Sequence, residues 1–410
     1  MKIYISGICG TAMGALGLFL KQMGHSVCGS DRSEGAVLPE LEKAGIEVKI
    51  GEQDGEFLRE KNSEGKIDWL VYTSALAKEH PELAMARELG IKSSKRGEII
   101  ETARKEHGLE MVAVAGTHGK TTTTAMIIYA CRELGVAVSY LVGSTLPFGG
   151  AGEYVAGSKW MIYEADEYDR NFLEFRPEIA VVTTVDYDHP DIYPTRESYA
   201  EAFAQFREQS GEVIEGVGID ERIKIAGKAR KIDATLAKEA VGRIVQREGL
   251  TISEERVAEV LEKFPGAGRR FERIAEGAYS DYAHHPEEIR ATIGIAKEEA
   301  ERLGKKGVVV VYEPHQNARQ VKIREGYRDC FAGAEKVFWL PTYLVREPEG
   351  VRVLTAEELA SEVEGEGLAT PAEVGEELAE ELRRLVSEGY LVVMMTAGPA
   401  DGWFRKAMQG

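Results

Sequence analysis

Short apolar runs alternate with amphipathic stretches along the whole chain. In the first hundred residues the apolar runs predict strands at 3–5, 26–31, 48–50 and 69–72. The stretch that follows Gly14 up to Met23 and the segment 38–44 repeat apolar positions at helical spacing. This alternation is typical of βαβ units, which build a parallel sheet.

The same alternation returns twice further along the chain. Strands are predicted at 111–115, 136–142, 160–164, 179–184, 307–313, 336–340 and 390–396. Helices are predicted from Thr121, over 286–302 and over 371–388. A proline and glycine cluster at 264–268 marks a boundary. We therefore predict an α/β chain of three domains, with the limits 1–107, 108–264 and 265–410.

Composition narrows the class of protein. Of 410 residues, 43% are hydrophobic and 29% charged, and the net charge is −18. Such an acidic chain is not expected to bind nucleic acid broadly, although a local phosphate pocket remains possible in its surface. No run of 18 apolar residues is present, so we expect no membrane insertion. The four scattered cysteines and the absence of a signal-peptide pattern predict a cytoplasmic protein.

The strongest motif follows the apolar strand 111–115. Its residues are Gly116, Thr117, His118, Gly119, Lys120, Thr121 and Thr122. A strand, a glycine turn and a Lys-Thr pair opening a helix are the parts of a phosphate-binding loop. Lys120 is expected to reach the terminal phosphates and the Thr121 hydroxyl to bind Mg²⁺. The loop is a variant, because Val114 stands where such loops carry a glycine.

Two acidic segments follow later strands of the same domain. The first is the run 164–169, which contains Glu164 and Glu167, and the second is 186–191, which contains His189. Alone, the first run is more often a solvated acidic loop, and the second is as readily a turn with a surface histidine. Beside a phosphate loop, carboxylates at strand ends favour a magnesium site, and His189 is expected either to bind a metal or to orient a carboxylate. The candidate metal ligands are Thr121, Glu164, Glu167 and His189.

The first and third domains add two groups of candidates. The turn after the first strand carries Gly7, Gly10, Thr11, Met13 and Gly14, and the later strand ends carry Asp31, Thr73 and Ser74. This altered Rossmann fingerprint predicts a diphosphate at a helix N-terminus, from either a dinucleotide or a nucleotide sugar. In the third domain, Arg270 is expected to stabilise phosphoryl charge and Asp281 to bind ribose hydroxyls.

Taken in order, these motifs resemble those of the Mur ligases of peptidoglycan synthesis. The motifs are GICGTAMGAL, SD at 30–31, TSA at 73–75, HPELAMARELGI, AGTHGKTTTT, EADEYD, DYDHPD, GRRFE, DYAHHPEEI and PHQNAR. They span nearly the whole chain. The opening GICGT is also similar to the members that attach a recycled tripeptide, whereas the middle of the chain is more similar to those that attach L-alanine.

The resemblance implies a Rossmann-like domain for UDP-N-acetylmuramate, a P-loop domain for ATP and Mg²⁺, and an α/β domain for the amino acid. The implied reaction forms an amide through an acyl phosphate. Lys120, Glu164, His189 and Arg270 take the catalytic positions, and Asp281 joins the ATP site. The amino-acid candidates are His284, His285, His315 and Arg319. The protein is expected to be a monomer or homodimer.

The chain also departs from the family pattern. Arg230 and Asp233 stand where the family has asparagines that contact the nucleotide, and Ser280 replaces an aspartate. The segment between His189 and Gly227 is short, so we predict a shortened central domain. Two alternatives therefore stay open: a ligase with a peptide acceptor, and a non-catalytic protein that only binds a sugar nucleotide.

Overall fold

The computed structural model describes residues 1–73, 76–189, 192–344, 352–365 and 367–409. Three sheets follow one another along the chain. The first has the strands β1 (Lys2–Ser6), β2 (Ser26–Asp31), β3 (Glu47–Ile50), β4 (Trp69–Tyr72) and β5 (Lys92–Ser94). Its helices are α1 (Thr11–Gln22), α2 (Leu38–Lys43), α3 (Glu56–Glu64), α4 (Pro81–Glu88) and α5 (Arg96–Glu106). All neighbouring strands are parallel, in the order β3-β2-β1-β4-β5.

The second sheet contains the phosphate-loop strand near its centre. Its strands are β6 (Glu110–Ala115), β7 (Val138–Leu141), β8 (Gly152–Glu153), β9 (Trp160–Glu164), β10 (Ile179–Val182) and β11 (Glu212–Ile214). Its helices are α6 (Lys120–Glu133), α7 (Arg196–Glu208), α8 (Lys228–Arg247) and α9 (Glu254–Glu262). The order is β11-β10-β6-β9-β7-β8, and only the β7–β8 pair is antiparallel. The ends of β6, β9 and β10 therefore meet at one edge, where open parallel sheets bind ligands.

The third sheet begins after Pro265. Its strands are β12 (Glu272–Ala275), β13 (Ala278–Asp281), β14 (Val308–Glu313), β15 (Lys336–Trp339), β16 (Ala369–Pro371) and β17 (Leu391–Thr396). Its helices are α10 (Pro286–Arg302), α11 (Asn317–Ile323), α12 (Ala356–Ala360), α13 (Glu376–Ser387) and α14 (Ala400–Gln409). The order is β12-β13-β17-β14-β15-β16, with β12 and β13 antiparallel.

The α/β prediction with three units of sheet is confirmed. One predicted helix was wrong at its start: Pro371 ends the edge strand β16, and α13 begins only at Glu376. Proline is compatible with an edge strand because its missing N–H need not pair. The helix buries Leu378, Leu382 and Leu385 on one face, which is the helical spacing that the sequence pattern carried.

The first two sheets share one hydrophobic core. Ile3, Leu16 and Phe19 of the first sheet's elements belong to the same buried cluster as Met111 and Phe203 of the second. Contacts divide the chain into two compact units, residues 1–223 with 232–264 and residues 224–231 with 265–410. Within the described ranges, none of the helices is both long and apolar enough to span a membrane.

Candidate active site

The loop between β6 and α6 has a backbone that only glycine readily adopts. Gly116 and Gly119 have φ angles of 143° and 83°. A Cβ on Gly116 would lie 2.1 Å from the Thr183 hydroxyl, and one on Gly119 would lie 2.4 Å from Asp233 Oδ1. Both positions therefore combine a positive φ with no room for a side chain. The loop is compact and leads directly into the N-terminus of α6, which suits an anion.

Lys120, the first residue of α6, is held at the mouth of this loop. Its Nζ donates hydrogen bonds to the carbonyl oxygens of Gly116, at 2.5 Å, and Thr117, at 3.2 Å. It also forms an ion pair of 2.8 Å with Glu167, whose side chain is 1% exposed. Burial raises the pKa of Glu167, while the Lys120 charge acts to lower it. The lysine charge is thus positioned by the loop and compensated by one buried carboxylate.

Thr121 and Glu164 form the second contact of the site. The Thr121 hydroxyl donates to Glu164 Oε1 at 2.9 Å, and the Gly143 N–H donates to Glu164 Oε2 at 2.7 Å. A Cβ on Gly143 would lie 2.9 Å from that carboxylate, so this glycine makes room for it. A hydroxyl beside one carboxylate is the hard-oxygen set that Mg²⁺ uses when it also binds phosphate and water.

His189 lies on the Glu167 side of the site. Its Nε2 is 3.5 Å from Glu167 Oε1 and 3.7 Å from Asp188 Oδ2, and its φ is 54°. The four metal candidates therefore form two pairs, Thr121 with Glu164 and His189 with Glu167. The residues that the structure describes contain no cluster of three His, Cys, Asp or Glu side chains that could hold a metal by itself.

The end of β10 fixes the loop from the other side. The Thr184 hydroxyl accepts from the His118 N–H at 3.0 Å, and the Thr184 carbonyl accepts from the Thr117 N–H at 2.9 Å. The Thr117 hydroxyl contacts Asp186 and Tyr199. Tyr199 was missed by the sequence reasoning, because nothing local links α7 to a loop 82 residues earlier. Thr122 lies half-buried in the first turn of α6.

The glycine turn of the first sheet is also closely packed. The N–H groups of Gly7 and Ile8 donate to the Ser30 carbonyl, and the Cys9 N–H donates to Asp31 Oδ2 at 2.8 Å. A Cβ on Gly7 would lie 2.8 Å from the Thr73 methyl group. Asp31 and Thr73 thus shape the turn itself.

The remaining turn candidates differ in exposure. Gly10 is the N-cap of α1, Thr11 beside it is exposed, and Met13 is buried in the core. A Cβ on Gly14 would lie 2.5 Å from a Val37 methyl group. Ser74 lies outside the described residues. The N-terminus of α1, at Gly10 and Thr11, is therefore the part of these candidates that lies at the surface.

In the other compact unit, Asp281 is a buried acceptor. Its carboxylate accepts from the N–H groups of Phe271 and Ala283 and from the Thr292 hydroxyl, at 2.7, 2.9 and 3.0 Å. Burial raises its pKa. Arg270 is exposed, with its guanidinium 5.3 Å from the Tyr282 ring centroid. Arg230, which belongs to the same unit, stacks at 5.5 Å over Phe271.

We expect Asp281→Asn to lower the free energy of unfolding by about 1–3 kcal/mol. The amide would place an N–H group against one of the three donors and leave that donor unsatisfied. Denaturant unfolding of the full chain measures the change. Asp329→Asn, an exposed aspartate of the same unit, is the matched control and should change stability by no more than about 0.5 kcal/mol. Equal stability of the two variants would contradict the role of Asp281 in holding the turn at Phe271.

The amino-acid candidates gather near the ends of β13 and β14. The rings of His284 and His315 are 5.8 Å apart, and the His284 Nδ1 contacts the Tyr282 carbonyl at 3.0 Å. Burial lowers the pKa of His284, and the nearby Arg319 charge acts in the same direction. His285 is exposed and caps α10, since its Nδ1 accepts from the Glu287 N–H at 3.5 Å. This contact involves one ring nitrogen and positions the imidazole at the helix start.

A glycine-turn sheet followed by a phosphate-loop sheet is an arrangement typical of enzymes that bind nucleotides. Residues 2–106 match the Mur ligase family, catalytic domain, and residues 114–238 match the Mur ligase middle domain. The chain belongs to the Mur ligase family, and the resemblance drawn from its motifs is confirmed.

Several named relatives match nearly the full chain. The UDP-N-acetylmuramate–L-alanine ligase of Chloroflexus aggregans is 30% identical, over 97% of this chain and 96% of its own length. The ligase of the same name from Caldicellulosiruptor saccharolyticus is 28% identical, over 98% and 96%. The crystal structure of UDP-N-acetylmuramate-alanine ligase from Thermotoga maritima covers 100% of this chain and 98% of its own, with a TM-score of 0.75 at 24% identity. A murein peptide ligase from Psychrobacter arcticus gives a TM-score of 0.57 at 18% identity, with 100% and 98% coverage.

Proposed function

We propose that this chain is an ATP-dependent ligase that joins the carboxylate of UDP-N-acetylmuramate to the amine of L-alanine in peptidoglycan synthesis. The observation that carries the proposal is the pairing of Lys120 with Glu167 and of Thr121 with Glu164 at one loop. A protein that only bound a sugar nucleotide would have no folding reason to keep a buried carboxylate beside this lysine, because burying charge is costly. The relatives named for this reaction support the choice of substrates.

The residues of the loop suit ATP with Mg²⁺. The backbone of 116–119 and the N-terminus of α6 are proposed to bind the phosphates, and Lys120 to neutralise the charge that develops on the transferring group. Thr121 and Glu164 are proposed to hold Mg²⁺, with Glu167 and His189 beside them. When bound, the cation supplies charge neutralisation between the phosphates. Arg270 and Asp281 are kept as proposed ATP-binding residues.

The proposed reaction has two steps. An oxygen of the sugar carboxylate attacks the γ-phosphorus while the bond to ADP breaks, which gives an acyl phosphate. The amine nitrogen then attacks the acyl carbon, and inorganic phosphate leaves with the proton that the nitrogen gives up. His284 is proposed to face the amine as a neutral imidazole, which fits the lowered pKa that its burial causes. His315, Arg319 and His285 complete the proposed amino-acid site, with Arg319 pairing with the carboxylate of the amino acid.

The proposal extends to the organisation of the protein. We keep the domain limits 1–107 for the sugar nucleotide, 108–264 for ATP and 265–410 for the amino acid. ATP and a nucleotide sugar are both cytoplasmic metabolites, so the enzyme is proposed to act in the cytoplasm. It is proposed to be a monomer or homodimer. Asp233 beside Gly119 leaves an acidic group close to the loop, where the family pattern has an amide.

Phosphate release from ATP tests the substrates directly. Purified protein is mixed with ATP, Mg²⁺ and UDP-N-acetylmuramate, and then with single amino acids or a tripeptide. We expect release with L-alanine, with weaker release for glycine, because one missing methyl group is worth about 1–3 kcal/mol in a fitted pocket.

The same assay separates the alternatives. Phosphate release only with the tripeptide would show that the acceptor is a peptide and not a single amino acid. Binding of UDP-N-acetylmuramate without release for any acceptor would identify a protein that has lost ligation. Omission of UDP-N-acetylmuramate is the control, and release that persists without it would reveal an unrelated ATPase.

A further inference from the structure

A cavity of about 310 Å³ lies between the first two sheets, within one compact unit. Its wall combines α1 at Ala12 and Leu16, the start of α5 at Arg96, the phosphate-loop Lys120 and the end of β9 at Tyr163. The cavity wall thus includes residues of the first turn of α1, which follows the glycine turn, and the lysine of the phosphate loop. The volume suits one end of a sugar nucleotide rather than the whole molecule.

Two polar groups in this wall keep hydrogen-bond donors that no described residue accepts. Among the described residues, the Arg96 guanidinium donates one long hydrogen bond, of 3.4 Å, to Asp166 Oδ2. A guanidinium has five N–H donors, and a partly enclosed one is usually satisfied by planar acceptors. Tyr163 is 3% exposed, and within the described part of the chain its hydroxyl has no hydrogen-bond partner. Burial raises the pKa of Tyr163, so the phenol keeps its proton and remains a donor.

From these contacts we propose that Arg96 and Tyr163 bind the carboxylate of the sugar nucleotide and present it to the phosphate that Lys120 holds. The cavity offers a guanidinium and a buried O–H donor to one anionic group, which matches the two oxygens of a carboxylate. Asp166 accepts one Arg96 N–H, and Glu164 is bound by the Thr121 hydroxyl and the Gly143 N–H, so among the described residues the other Arg96 donors and the Tyr163 hydroxyl are left for a ligand. The proposal deepens the ligase function above and rests on it.

Arg96 would then be a specificity-determining residue. Arg96 begins α5, a helix beside the first sheet, whereas Tyr163 lies in β9 and Lys120 begins α6 at the second sheet. The carboxylate would therefore be bound where the two sheets meet. A sugar nucleotide without a carboxylate would keep its diphosphate contacts at the glycine turn and lose only this interaction. The difference between two such ligands therefore isolates the role of Arg96.

The test compares two ligands on the full-length protein by calorimetry, without ATP. One is UDP-N-acetylmuramate and the other is UDP-N-acetylglucosamine, which has the same nucleotide and no lactyl carboxylate. Arg96→Gln is expected to weaken the first about 10- to 100-fold, as for loss of a charge-assisted hydrogen bond, and to leave the second within about twofold. Tyr163→Phe is expected to weaken binding of UDP-N-acetylmuramate about 3- to 10-fold. Arg96→Lys is expected to have an effect between those of the unchanged protein and Arg96→Gln, because lysine keeps the positive charge but lacks the paired N–H donors of the guanidinium.

Arg59→Gln is the matched control. It makes the same substitution in an exposed ion pair on α3 of the same unit, and both ligands should bind it as they bind the unchanged protein. Equal weakening of both ligands by Arg96→Gln and Tyr163→Phe would overturn the proposal, and so would no weakening of either. If the unchanged protein turns over UDP-N-acetylmuramate, such a result overturns this inference alone. Failure of the unchanged protein to bind UDP-N-acetylmuramate would overturn the proposed function as well.

Discussion

Lys120→Ala is expected to abolish ligation, with a fall of about 10³-fold or more in kcat, comparable to the loss of other cations that stabilise phosphoryl transfer. The Nζ of Lys120 is held by the carbonyl groups of Gly116 and Thr117 and is paired with Glu167. Alanine removes the charge and leaves the buried Glu167 carboxylate without its cation. Initial rates of phosphate release at saturating substrates measure the loss.

The affinity for UDP-N-acetylmuramate is the second readout for this variant. It should stay within about threefold of the unchanged protein, since the diphosphate turn belongs to another sheet and Lys120 only borders the cavity that receives the acid. Lys159→Ala, in an exposed ion pair with Glu248, is the matched control and should keep full turnover. If the affinity for the sugar nucleotide collapsed together with the rate, the assignment of the two nucleotide sites to separate sheets would be wrong.

Gly116→Ala is the second variant with a large expected effect, a loss of about 10²-fold or more in turnover. A Cβ at this position would lie 2.1 Å from the Thr183 hydroxyl and 2.9 Å from the backbone N and O of Thr184. Because two of these contacts are with the backbone of Thr184, the clash cannot be relieved by moving a flexible side chain, and the loop itself must shift. A displacement of about 1 Å in a group that positions a reacting phosphate is enough for a loss of that size.

Gly135→Ala separates loop displacement from backbone strain. Gly135 has a φ of 74°, also in the left-handed region, but a Cβ there has nothing within 4 Å. We expect that variant to lose about 1 kcal/mol of stability and to keep its turnover. Turnover lost equally in both variants would show that strain, and not the clash at Thr183, is responsible.

The parts of the site that the sequence predicted are those that lie close together in the chain. The loop from Gly116 to Thr121 could be predicted from the sequence, because the end of the strand, the turn and the beginning of the helix lie within nine residues. The roles of these residues depend on local backbone geometry. The carboxylates after β9 could also be located, since parallel strands end at one edge. Which carboxylate pairs with which partner could not be predicted, as Lys120 and Glu167 are 47 residues apart.

Arg96 and Pro371 show why the rest was out of reach. Arg96 stands in an ordinary helix start, and only the packing of α5 against the second sheet brings it to a cavity beside Lys120. Pro371 carries a signal that fits a helix start and an edge strand equally well, and the pairing of β16 with β15 decided between them. Both outcomes depend on tertiary contacts that local periodicity does not record.

The hydrophobic core common to the first two sheets has a consequence for substrate choice. Because close-packed side chains deform little, the separation between the diphosphate turn at Gly7 and the phosphate loop at Lys120 is set by that core. The proposed diphosphate site and the proposed phosphate site therefore lie at a fixed distance from each other. A nucleotide sugar whose acid group lies nearer to or further from its diphosphate would reach one of these sites and not the other. The proposed enzyme would then select its substrate by length before it recognises the sugar itself.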